Sequence, residues 1–410
     1  MPTPTRQAAL ALLSAVTQAR QSLEDALEAQ AGIAPRDRAA AHRIAAAVLR
    51  RTGSLDAVLE PFLKREPPVP VRLALRMGAA ELLLLGTPPH AVVSDTVSLV
   101  PRPFAGLVNA VLRRVSEGGA AALEGLDAAR LDTPAWLWTA WHAAHGSAVR
   151  AIAEAHRREA PLDLSLAPGA VVEGAVMLPH GTARLPAGTR ITELPGFEQG
   201  AFWAQDAAAA WPAKLLGARP GERVLDLCAA PGGKTAQLVA TGAQVVAVER
   251  DARRAARLRE NLSRLRMQAE VVIADATTWR PDAVFDAVLL DAPCTATGTI
   301  RRHPDALHLR RPQDVAKLAA TQTGLLQAAT RLLAPGGRLV FATCSLQAEE
   351  GEAHLARLPA ELVLEPVRPD ELPGLSEAVS AQGALRTRPD MWAEHGGMDG
   401  FFVLRAVRRA

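Results

Sequence analysis

After about residue 201, short apolar runs alternate with helical stretches. The runs are "RVLDLC", "AQVVAVE", "AEVVIAD", "FDAVLLD" and "GRLVFATC". Helical stretches between them include "DARRAARLRENLSRL" and "DVAKLAATQTGLLQAATRLL". Strands apolar at nearly every position are buried on both faces, and helical crossovers between them require a mostly parallel sheet. Such a sheet collects its ligands at the carboxyl ends of the strands. The residues that fall there are Asp226, Cys228, Glu249, Asp275, Asp291, Cys294 and Cys344.

The first 120 or so residues carry a different period. "TRQAALALLSAVTQAR" and "PRDRAAAHRIAAAVLRRTGSL" place apolar residues at three-to-four spacing with Arg on the other face. "VPVRLALRMGAAELLLLG" predicts a buried helix ending at Gly86, and "FAGLVNAVLRRVSE" another amphipathic one. A Trp-rich helix, "PAWLWTAWHAAHGSAVRAIAEAHRREA", leads into a Pro/Gly-punctuated stretch of short strands and turns. The chain is therefore expected to be multidomain: an all-α bundle over 1–125, a small α+β connector over 126–200, and a Rossmann-like α/β domain over 201–410.

A chain of 410 residues, 49% hydrophobic and 22% charged, can bury substantial cores. It contains no uncharged apolar run long enough for a membrane span, and its first residues lack the order of a secretory signal. A cytoplasmic protein with no membrane association is the expectation, and a monomer. Three Cys, fifty or more residues apart and without Cys/His clustering, argue against a metal site. Net charge is +3, with 14 Arg/Lys against 9 Asp/Glu in residues 1–115. That excess is compatible with nucleic acid, although a solvated helix face would account for it equally well.

"VLDLCAAPGGKT" after the first strand ends like a phosphate-binding loop, but the first required glycine falls on Cys228. The dinucleotide pattern fails too, because Ala229, Ala230 and Pro231 occupy the turn. A binder of S-adenosylmethionine (SAM) fits better. Small residues let the backbone approach the methionine part, Glu249 ending strand two can accept the ribose hydroxyls, and Asp275 after strand three can accept the adenine amino group. Each acid alone could be a helix cap or loop residue; three at successive strand ends are harder to explain so.

Cys294 follows the fourth strand and Cys344 ends the fifth, which brings two thiols to the same edge. Carbon methylation of a pyrimidine needs that chemistry. C5 of cytosine attacks a sulfonium only after a thiolate has added at C6, and the thiol leaves when the C5 proton is lost. An amino-methylating enzyme would instead be expected to carry a polar-Pro-Pro-aromatic turn where Asp291, Ala292, Pro293 and Cys294 stand.

Together "DLCAAPGGKT", "LLDAPCTATGTIRRHPD", "ATCS", "GFEQGAFWAQDAAA" and "DGFFVLRA" resemble a bacterial ribosomal RNA cytosine-C5 methyltransferase of the RsmB (Fmu/Sun) type, in the NOL/NOP2/Sun group. The helical N-terminus resembles its NusB-like RNA-binding domain. The resemblance implies SAM as cofactor and RNA as partner, 16S ribosomal RNA in the first instance. A transfer RNA substrate or a non-catalytic RNA-binding factor is the alternative. It implies Cys344 as nucleophile and Cys294 as the residue assisting release. The implied SAM contacts are Cys228, Ala229, Ala230, Pro231, Gly232, Gly233, Lys234, Glu249, Asp275 and Asp291. Asp291 could face the cytosine instead, and Lys234 is either part of the catalytic arrangement or a surface residue at a helix start. Arg301, Arg302 and His303 are expected to meet RNA phosphates, or else to form a solvated loop. Trp203, Trp279 and Trp392 are expected in the core rather than stacked on bases. Thr295 replaces the group's usual Ser and Glu249 its frequent Asp. The connector is short against the group's small RNA-binding subdomain.

Overall fold

All five apolar runs become strands of one sheet in the computed structural model, which describes residues 3–410. The chain forms two compact units: residues up to Arg158 with Ile300–Arg311, and Glu159–Thr299 with Pro312–Ala410. This division differs from the three parts expected. The helices Ala135–His145 and Val149–His156 go with the first unit, whereas the short strands of the connector go with the second.

The first unit is helical. Pro4–Thr17 starts on a proline, which has no N–H to lose in a first turn, and buries Ala8, Ala9, Leu12, Leu13 and Val16. Pro35–Arg50, Val69–Leu83 and Arg102–Gly118 supply most of the remaining apolar residues, with Leu55, Val58 and Leu59 of Thr52–Leu59. Arg6 is buried with them because Glu81 takes it in two hydrogen bonds of 2.8 and 2.9 Å, which satisfies a charge the core would otherwise exclude.

The second unit holds two sheets. Strands β1 (Leu162–Leu166), β2 (Val176–Met177), β3 (Ala183–Leu185) and β4 (Phe202–Ala204) form an antiparallel sheet in the order β2-β3-β1-β4. The larger sheet contains β5 (Arg223–Leu227), β6 (Gln244–Glu249), β7 (Glu270–Ile273), β8 (Phe285–Asp291), β9 (Leu333–Thr343), β10 (Leu362–Leu364), β11 (Leu385–Arg386) and β12 (Phe402–Arg408). Its order is β10-β12-β9-β8-β5-β6-β7, with β11 on β12. Strands β7, β6, β5, β8 and β9 run parallel, and β12 runs antiparallel to β9. The central residues of β5, β6, β8, β9 and β12 are buried, as near-continuous apolar strands must be, whereas the edge strand β7 is only half-buried. Registers Asp291↔Ala342 and Phe402↔Thr343 bring the ends of β8 and β9 and the start of β12 to one edge.

Candidate active site

The turn after β5 begins with Cys228 at φ +61°, an unusual conformation for a residue with a side chain. Gly232 follows at φ +104°, and an added Cβ would meet Leu258 Cδ1 at 2.4 Å, so only glycine fits there. Helix Gly233–Ala240 then starts, and Thr235 donates to Asp226 Oδ2 at 2.6 Å. Two residues of helix Ala252–Arg264 hold the turn from outside. Arg254 donates to the Ala230 carbonyl and Asn261 to the Pro231 carbonyl, each at 2.8 Å. Neither residue was legible as functional, because helical periodicity marks both only as polar-face residues.

Acids stand at the strand ends beside this turn. Glu249 is buried; its Oε1 accepts from Asp251 N at 3.0 Å, while Oε2 makes no hydrogen bond and has Arg254 Nη1 at 3.4 Å. Asp226 is fully buried with Oδ1 unpartnered, and burial pushes its carboxyl up to about 7. Of the two, Glu249 stands at a strand end, where an oxygen with a lone pair to spare suits a ligand that brings hydroxyl donors, as SAM does. Asp275 accepts from Thr277 Oγ1 at 2.6 Å and Thr277 N at 2.9 Å, which holds it below its usual range. That is the local turn role weighed against adenine contact, and it occupies one carboxylate oxygen.

Across the edge, Cys294 Sγ and Cys344 Sγ lie 3.4 Å apart. Both are half-buried. The hydrogen bond to Cys344 and then burial push the Cys294 thiol well up, and either sulfur can be the donor in the pair. Lys234 donates to Asp291 Oδ2 at 2.8 Å and lies over the Phe401 ring at 5.3 Å. Burial lowers Lys234, but Asp291 and then the Cys344 and Asp226 charges outweigh it, and the net shift is upward. Lys234 is thus a paired, largely buried cation between turn and thiols, not a surface residue. The third thiol, Cys228, is pushed up to about 12 by burial and the neighbouring acids, and it is unsuited to nucleophilic work.

The expectation for Arg301 is corrected. Its side chain is 1% exposed, and its carbonyl accepts from Arg50 at 3.0 Å. The segment Ile300–Arg311 belongs to the helical unit, where Asp305 accepts from Leu23 N at 3.1 Å and His308 Nε2 meets the Leu49 carbonyl at 2.9 Å. At 1% exposure the guanidinium presents almost no surface to a phosphate. Arg302 is half-buried and His303 exposed. Trp203 and Trp392 are buried at 5% and 6% exposure. Trp279 is half-buried and tilted against Phe285.

A family model described as 16S rRNA methyltransferase RsmB/F matches residues 213–406, and one for the NusB family matches residues 3–117. A curated protein of Sodalis glossinidius, "Ribosomal RNA small subunit methyltransferase B", is 37% identical over 92% of each chain. The crystal structure of PH0851 superposes with a TM-score of 0.74 at 22% identity, covering 99% of both chains. That of NSun6 from Pyrococcus horikoshii with SFG does so at 0.57 and 19% identity, covering 68% of this chain and 98% of the other. These two structures attest the fold.

Proposed function

The chain belongs to the 16S rRNA methyltransferase RsmB/F family, and from that premise we propose that it transfers a methyl group from SAM to C5 of a cytosine in 16S ribosomal RNA through a covalent Cys344 adduct. The observation that carries the reading is the 3.4 Å pair of thiols at the strand ends, beside a glycine turn and the Glu249 carboxylate with an oxygen that makes no hydrogen bond.

Cys344 Sγ forms the bond to C6, and the C5=C6 electron pair moves toward C5 and the ring. Bound SAM supplies an electrophilic methyl group to that carbon. Loss of the C5 proton restores the double bond and breaks the C6–S bond, which returns the sulfur as a thiolate. Cys294, its sulfur 3.4 Å from that of Cys344, is the residue we assign to assist that release. Cys228 to Lys234, Glu249, Asp275 and Asp291 are the proposed SAM contacts; Asp291, held by Lys234, limits where the base can lie. The target base must leave its stack to reach a sulfur at a sheet edge. Arg302 and His303 are the proposed phosphate contacts of the loop. Among the described residues no helix is long and apolar enough to cross a membrane, and we place the reaction in the cytoplasm.

The test is incubation with labelled SAM and ribosomal RNA. Cys344→Ala should abolish transfer and every protein–RNA adduct. Cys294→Ala should accumulate an adduct visible on a denaturing gel. The reverse pattern would overturn the assignment of the two thiols.

A further inference from the structure

Glu350 has no exposed surface, lies six residues past Cys344 in "LQAEE", and belongs to no motif read from the sequence. Its carboxylate is surrounded by donors from both cysteine loops. From the loop after β8 it accepts the Thr295 N–H at 2.9 Å and the Thr295 hydroxyl. From the loop after β9 it accepts the Ser345 hydroxyl at 2.6 Å. Thr295 directly follows Cys294, and Ser345 directly follows Cys344.

A second layer fixes the carboxylate. Gln322, on helix Pro312–Leu332, donates to Glu350 at 3.1 Å and to the Pro293 carbonyl at 2.9 Å, and its own carbonyl oxygen meets His354 Nε2 at 2.9 Å. Thr343 closes the other side by donating to the Glu350 carbonyl at 2.9 Å. Burial raises this carboxyl, against the lowering effect of the Ser345, Thr295 and Gln322 hydrogen bonds. A buried carboxylate is costly unless its lone pairs are filled, and here, beside Gln322, the donors filling them come from the two segments that carry the sulfurs.

We propose that Glu350 is a positioning residue, a buried clamp that ties the Cys294 loop to the Cys344 loop and sets the spacing of their thiols. The clamp touches neither sulfur; it acts through Thr295 and Ser345. Its importance for turnover rests on the methyltransferase reading above, but its effect on thiol spacing does not.

The experiment therefore reads spacing and turnover separately. Full-length wild type, Glu350→Ala and Glu350→Gln are equilibrated with glutathione disulfide, which oxidises the thiol pair to a disulfide and yields two reduced glutathiones. Peptide mass spectrometry measures the 294–344 bridge and hence the effective concentration of one thiol at the other. Glu350→Ala should lower that concentration at least about tenfold and kcat on the order of 10²-fold, with KM for RNA within about threefold, because misplacement of about 1 Å suffices for such a loss. Glu350→Gln keeps an acceptor for Thr295 N–H, and the two hydroxyls can turn to accept from its amide. It should stay within about threefold of wild type in thiol proximity.

Unchanged proximity in Glu350→Ala, or equal loss in both variants, would overturn the clamp. Should Glu350→Ala not fold, Thr295→Val removes one hydroxyl from the same carboxylate; a drop in proximity supports the clamp and none overturns it. A wild type that transfers no methyl group would defeat the functional reading and leave the disulfide measurement to judge the clamp alone.

Discussion

Gly298 offers a severe test of how the cysteine loops are held. Its N–H donates to the Cys344 carbonyl at 3.0 Å, and its carbonyl accepts from Gly400 N at 2.9 Å, so it bridges the Cys344 loop and the approach to β12. A Cβ at this position would lie 1.9 Å from the Gly400 carbonyl oxygen, 2.7 Å from its carbon and 2.8 Å from Gly400 Cα. Ordinary contact begins at 3.4 Å, so backbone must retreat by about 1.5 Å. No side chain can swing aside, because all three atoms are main chain. Overpacking of this kind costs about 1–3 kcal/mol, and in a unit of this size each kcal/mol lowers Tm by about 2–4 °C. The clash falls on Gly400, so relief moves Gly298 and strains both its hydrogen bonds, to Gly400 and to the Cys344 carbonyl, and misplacing a reacting group by about 1 Å costs on the order of 10² in rate. Gly298→Ala should therefore fold with a Tm several degrees lower, bind SAM nearly as wild type, and lose about two orders of magnitude in kcat. Calorimetry, titration with SAM and a single-turnover methylation assay measure the three. A variant with wild-type kcat and Tm would show that the loop yields freely, and the chain of contacts from Gly400 to Cys344 would not govern the nucleophile.

Two further outcomes test the cofactor and RNA assignments. Glu249→Ala removes the buried carboxylate oxygen that lacks a hydrogen bond; losing hydrogen bonds to a charged acceptor, at about 1.5–3 kcal/mol each, should weaken SAM binding at least about tenfold by isothermal titration, and unchanged affinity would remove Glu249 from the site. Arg301→Ala should lower thermal stability and leave the salt dependence of RNA binding unchanged, whereas Arg302→Ala should reduce the slope of log K against log salt by about 1; a reduced slope for Arg301→Ala would mean that its guanidinium reaches RNA after all.

Much of the strand-end edge is readable in the sequence. The five apolar runs announced β5 to β9 within a few residues, because apolar periodicity is a local property. A strand that ends in Asp or Cys places that residue at the ligand edge of a parallel sheet whatever its neighbours are. Thus Glu249, Asp291, Cys294 and Cys344 could all be assigned to one edge from the sequence.

Distances could not be assigned in that way. The 3.4 Å between sulfurs depends on the register of β8 against β9, on Gly298 against Gly400, and on a carboxylate six residues beyond the nucleophile. Arg254 and Asn261 looked like solvated helix residues until the fold laid their helix against the glycine turn. Arg301 looked like a phosphate ligand until its segment folded into the helical unit. Chain-local pattern determined which elements form and which chemical groups stand at their ends; contacts between residues far apart along the chain determined which of those groups meet, because they exist only after the loops have closed and the layers have packed.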